Sequence, residues 1–104
     1  MIDIIDLRKY FESDNVLISD HAAMRFRQRG LKVKDIRFAV NNGEIIEQYP
    51  DDFPFPSCLI LGKITGEKYI HVVMSDEGKM GRIITAYYPD PNKWDAQLKV
   101  RKEN

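Results

Sequence analysis

The hydrophobic pattern changes period once, at Asn42-Gly43, and that change constrains the fold more than any other feature of the chain. Before it, apolar residues recur at helical spacing. After it they alternate or run in short blocks bounded by Gly, Pro and Asp. Helices first and strands second is the pattern of an α+β domain with its helices on one face of a sheet.

Upstream of the change, residues 2–12 form a passable amphipathic helix with acids in its first turns, where the helix dipole favours them. Ser13-Asp14-Asn15 breaks it, and Val16-Leu17-Ile18 is a short extended piece leading into Ser19. Ser19 or Asp20 can cap a second helix through an oxygen that accepts an orphan backbone N–H, and Gly30 is a natural residue to end it. Val33, Ile36, Phe38, Ala39 and Val40 then offer the apolar stripe of a third helix, which ends at Asn42-Gly43.

Downstream, strands are expected at 44–49, 58–65, 69–75 and 82–88. The short turns between them favour an antiparallel meander. Pro50 to Pro56 is a proline-rich connection, and its Phe53 and Phe55 are expected to cap the core, although loop aromatics can also stack on bases. Asp90-Pro91-Asn92 opens a last helical turn around Trp94, which anchors the C-terminal residues. The expectation is one α+β domain over 1–104, with N-terminal helices packed on a four-stranded antiparallel sheet.

Charge and cysteine usage narrow the classes. Sixteen basic and sixteen acidic side chains cancel over 104 residues, so no global charge selects a nucleic acid or a membrane. The distribution is uneven: Arg25, Arg27, Arg29, Lys32, Lys34 and Arg37 face only Asp20 and Asp35 between positions 20 and 37. Cys58 is the single cysteine, which excludes an internal disulfide and a cysteine metal cluster, and its apolar neighbours mark it as a small buried hydrophobe. No apolar run approaches the ~20 residues that span a bilayer, and no secretory signal is visible, so a soluble cytoplasmic protein is expected.

His21, Arg25 and Arg29 repeat every four residues and project from one helix face, opposite Ala22, Ala23 and Phe26. A bland solvated cationic face is one reading. The sharper one is a phosphate grip, because guanidinium donors match phosphate geometry and stay charged. The other histidine, His71, shares one strand face with Tyr69 and Val73, and is either a satisfied half-buried residue or an acid–base partner of His21. Alternation in the last strand sets Ile83, Thr85 and Tyr87 on one side, as ordinary strand formers or as hydroxyls that orient a phosphate. No glycine-rich phosphate loop, metal-spaced cluster or Ser-His-Asp signature is present.

Ser19-Asp20-His21-Ala22, Arg25, Arg29-Gly30, Asn42-Gly43-Glu44-Ile45-Ile46-Glu47, His71-Val72-Val73 and Ile84-Thr85-Ala86-Tyr87, in that order, resemble the small bacterial family catalogued as domain of unknown function 4258. The resemblance runs from about Ser19 to Trp94. That family looks related to the RelE-like and barnase-like toxin nucleases, compact folds with helices preceding a four-stranded antiparallel sheet, often paired with a zinc-finger antitoxin. The resemblance implies a toxin component that cuts RNA without a metal or other cofactor, with His21, Arg25, Arg29, His71, Thr85 and Tyr87 as the matching site positions.

Two functions are therefore carried forward. In a metal-independent ribonuclease, one histidine takes the proton of a ribose 2′-hydroxyl and the other histidine, or Tyr87, protonates the leaving 5′-oxygen. Arg25 and Arg29 stabilise the pentacoordinate phosphate. In a non-enzymatic module, the basic helix docks on nucleic acid or an acidic partner, with affinity that falls steeply with salt and no turnover.

Overall fold

In the computed structural model, which describes residues 1–103, three helices precede Gly43: α1 (Ile4–Glu12), α2 (Asp20–Gln28) and α3 (Val33–Asn42). A short strand, β1 (Val16–Ile18), lies between the first two, and β2 (Glu44–Tyr49), β3 (Ser57–Thr65), β4 (Lys68–Asp76) and β5 (Gly81–Tyr87) follow. The fold is α+β. Its sheet has five strands in the order β1-β5-β4-β3-β2, which corrects the four-stranded antiparallel sheet expected above. The meander β2 to β5 is antiparallel, but β1 joins its far edge in parallel, Val16 opposite Gly81 and Ile18 opposite Ile83. Three residues are too few to display a period, and a parallel pairing leaves no turn signal, so the sequence shows only a short extended piece here.

The helices divide the work of covering one sheet face. Helix α3 lies across β3 and β4, α2 lies beside β5, and α1 packs on α3. Phe26, Ile36, Val40, Ile60, Val72 and Ile83 form the centre of that core, each at most 2% exposed. Close approach is possible because Gly62 has no Cβ: a methyl there would be driven into the backbone of Ala39. Two side chains fasten the end of α3. Arg8 donates to the carbonyls of Val40 (3.1 Å) and Gly43 (3.0 Å), and Asn42 bonds both the N–H and the carbonyl of Lys63.

The second sheet face is not open. Leu59, Leu61 and His71 point to it and are buried, and the segment after β5 folds back over His71 with Trp94 only 3% exposed. Trp94 does anchor this segment, through a turn and a bridge to Arg101 rather than the expected helical turn. The proline-rich loop departs from expectation too. Phe53 is 95% and Phe55 39% exposed, so neither caps the core. No helix among the described residues is long and apolar enough to cross a membrane.

Candidate functional site

Local sequence fixes how α2 presents its polar stripe. Ser19 is the N-cap, its Oγ accepting from the Ala22 N–H at 3.1 Å. At the other end Gly30 takes the left-handed conformation (φ 70°), with Leu31 N–H on the Phe26 carbonyl (2.8 Å) and Gly30 N–H on the Arg27 carbonyl (3.2 Å). This double closure sets Leu31 against Phe26, both buried, and so fixes the rotation of the helix. With Ala22 and Phe26 turned inward, His21, Arg25 and Arg29 are all exposed.

Arg29 alone of the three is tied down. Its Nη1 donates to the Ala86 carbonyl at 2.8 Å and to Thr85 Oγ1 at 3.2 Å. That carbonyl is free because β1 stops opposite Ile83, leaving the outer edge of β5 without a ladder partner from there on. Two of the candidate positions, Arg29 and Thr85, are thus in direct contact. A helical rise of 1.5 Å per residue puts His21 about 12 Å along the axis from Arg29. His21, Arg25 and Arg29 accordingly form a track with one end docked on β5, not three walls of one small pocket.

The face of β5 is set by a bulge. Met74 pairs with Ile83 and Val73 with Thr85, which leaves Ile84 as the extra residue. Simple alternation had put Ile83 with Thr85 and Tyr87. Instead Ile83 and Ala86 enter the helix-side core, while Thr85 and Tyr87 share the second face with Val73 and His71. His71 lies directly opposite Tyr87, their rings edge-on at 5.5 Å.

His71 itself is fully buried. Its Nε2 is 2.8 Å from the Leu98 carbonyl, an acceptor only, so Nε2 carries the proton and donates. Nδ1 is then a bare acceptor, and it has no partner among the described residues. Trp94 packs edge-on against the ring at 4.5 Å. Burial holds the imidazole below its usual pKa, against the opposing pull of the Leu98 carbonyl and Glu47, and so keeps it neutral. Burial likewise pushes the Tyr87 hydroxyl up. His21 lies on exposed α2 and His71 under the C-terminal segment, and no contact joins the two imidazoles among the described residues.

One neighbouring group lies outside the six candidate residues. Glu47 on β2 receives two bonds from Arg101 (3.1 and 3.2 Å) and one from the Tyr49 hydroxyl. Burial would raise the Glu47 carboxyl, but those donors outweigh it and the net shift is downward. The Arg101 guanidinium also lies 4.7 Å over the Trp94 ring. These residues are scattered over more than fifty positions, and only the fold assembles them.

A family described as "Domain of unknown function (DUF4258)" matches residues 18–88. The chain belongs to the DUF4258 family. Neither a curated protein nor a solved structure matches it. The DUF4258 match begins at the last residue of β1 and closes one residue beyond β5, so it contains all six candidate residues. Helix α1 and the segment bearing Trp94, Leu98 and Arg101 lie outside it. Among the described residues of this DUF4258 chain, no three His, Cys, Asp or Glu side chains gather as a metal site. The Cys58 thiol, pushed up to about 12 chiefly by burial, is unsuited to act as a nucleophile.

Proposed function

We propose that this protein is a metal-independent endoribonuclease of toxin type, with its phosphate site at the seam between α2 and β5. The observation that carries the reading is the docking of Arg29 on Thr85, on the face that also bears Tyr87 and His71. A fixed guanidinium is a preorganised partner for the charge that develops on a pentacoordinate phosphate, and it needs no reorganisation during the reaction. Thr85 Oγ1 and the Tyr87 hydroxyl supply the neighbouring polar groups. Arg25 and His21 continue the track along α2 toward adjacent phosphates of the same strand.

The chemistry assigned to this seam is transfer to an internal nucleophile. His71, as a neutral imidazole, takes the proton of the ribose 2′-hydroxyl. The 2′-oxygen bonds to phosphorus, the bond from phosphorus to the 5′-oxygen breaks, and Tyr87 gives that oxygen its proton. The products are a 2′,3′-cyclic phosphate and a 5′-hydroxyl. A toxin of this kind would be held in check by a partner, and the resemblance to toxin nucleases makes a small zinc-finger antitoxin the candidate. Burial of His71 favours a second reading, an RNA-binding module without turnover.

Purified protein incubated with single-stranded RNA in a metal chelator separates these readings. Cyclic-phosphate ends that diminish at least ~100-fold in Arg29→Ala and Tyr87→Phe support the nuclease. Salt-sensitive binding with intact RNA leaves the binding module. Uncut, unbound RNA rejects both.

A further inference from the structure

The segment from Lys93 to Lys102 contains no helix or strand and closes mainly on itself. Asp95 N–H bonds the Val100 carbonyl at 2.8 Å, and Lys102 N–H bonds the Lys93 carbonyl at 2.9 Å. Beyond the burial of Trp94, its ties to the sheet are few. The Leu98 carbonyl accepts from His71, the Trp94 indole abuts the same ring, Arg101 pairs with Glu47, and Lys99 pairs with Glu44 at 2.8 Å. Both ion pairs stand in solvent, the Arg101 side chain 61% and the Lys99 side chain 43% exposed, where water screens them and their contribution is small.

Two features oppose the closed arrangement from within. The segment buries His71 Nδ1 without a partner, an uncompensated desolvation. Leu98 presents its carbonyl from a φ of 62°, a region that a leucine rarely adopts. Beneath it, β3 and β4 are each paired on both sides. Lifting the segment therefore costs less than unfolding the sheet.

We propose that residues 93–102 are a displaceable strap, closed in this structure, whose lifting admits a phosphodiester of single-stranded RNA to His71 and Tyr87. The ligand in this proposal rests on the nuclease reading; the motion does not. With the strap lifted, His71 loses the Leu98 carbonyl and Nδ1 becomes open to solvent. The bonds of Arg29 to Thr85 and Ala86 involve no strap residue, so the phosphate grip survives the motion. The strap thus controls access to the base without dismantling the cationic track. It also lies wholly beyond residues 18–88, the part matched by the family.

The test uses the full chain and two variants that loosen only the exposed fastening, Arg101→Ala and Glu47→Gln. Amide hydrogen exchange reads the strap through Asp95, Leu98, Lys99 and Lys102. Diethyl pyrocarbonate reads the accessibility of imidazoles, with exposed His21 as the internal reference. In the parent, His21 reacts and His71 is protected. In both variants, strap exchange and His71 modification rise together about two- to fivefold, with β4 amides unchanged. Strap amides that exchange only as fast as those of β4 overturn the proposal, as does a His71 that stays protected while the strap exchanges faster.

RNA cleavage on the same samples separates the two levels. A rate that climbs with His71 accessibility supports the strap as a gate, and a rate indifferent to it overturns that role. If no sample cuts RNA although His71 becomes reactive, the nuclease reading is lost and the displaceable strap stands.

Discussion

Arg29 and Thr85, 56 residues apart, meet across the α2–β5 seam with Nη1 at 3.2 Å from Oγ1. The same nitrogen holds the Ala86 carbonyl at 2.8 Å, so one guanidinium closes the exposed end of β5. Arg29→Ala and Arg25→Ala should each lower RNA affinity and reduce the slope of log K against log salt by about 0.7 to 1. Titration of labelled single-stranded RNA at four or more salt concentrations measures both. Arg29→Lys retains the charge but not the planar guanidinium whose remaining N–H groups can face a phosphate, and should restore binding without restoring cleavage.

His71 and Tyr87 are expected to separate stability from chemistry. His71→Ala removes a buried ring and the bond to Leu98, and should cost about 2–4 kcal/mol in urea unfolding. Tyr87→Phe keeps the edge-on contact with His71 and removes only the hydroxyl. Its unfolding midpoint should stay within about 1 kcal/mol of the parent while cyclic-phosphate formation collapses. Equal losses of activity and stability in Tyr87→Phe would assign the hydroxyl a purely structural part.

Acid should loosen the C-terminal segment before the sheet. Burial holds His71 below its usual 6.5, so the opened chain binds a proton that the closed one resists. The stability it contributes is complete above pH 6.5 and drains away as the pH falls below that value. The Glu47 and Asp95 carboxyls are also lowered, Glu47 by Arg101 and Tyr49 against the effect of burial, and Asp95 chiefly by the Lys99 N–H. Their contributions are present above the ordinary carboxylate range and are lost as each is protonated. The groups facing His71 are Glu47, Arg101 and Tyr87, and only Glu47 favours its protonation by charge, too weakly to reverse the effect of burial. Hydrogen exchange at pH 7 and pH 5 should show faster strap exchange at the lower pH, after correction for the intrinsic rate, with little change in β4.

Gly62→Ala tests the contact that seats α3 on the sheet. The added methyl meets the Ala39 backbone, which cannot rotate away as a side chain would. A loss of about 3 kcal/mol or more is expected by chemical denaturation. Gly66→Ala is the control: open space surrounds that position, so only its φ of 50° opposes the change.

Helices and strands with enough residues to show a period were legible before any coordinates. The cap at Ser19, the stop at Gly30 and the outward stripe of His21, Arg25 and Arg29 all follow from local chemistry. Three things were not legible. Val16–Ile18 is too short to carry a pattern, and its partner lies far along the chain. The bulge at Ile84 shifts alternation by one residue, which no composition rule announces. The cover over His71 depends on a carbonyl, Leu98, whose position follows from tertiary structure alone. The meeting of Arg29 with Thr85 has its physical reason in the free edge of β5.

The parallel pairing of β1 with β5 also bears on how the protein is made. On a ribosome, α1, β1, α2 and α3 emerge well before Gly81 to Ile83, the residues that β1 must pair with. Until then β1 has no neighbour in the sheet, and Arg29 has no Ala86 carbonyl to hold. Closing so long a loop is entropically expensive and comes late in folding. The cationic helix is therefore synthesised early but docks on β5 late, so a nascent or truncated chain would carry the charges of the proposed site without its geometry.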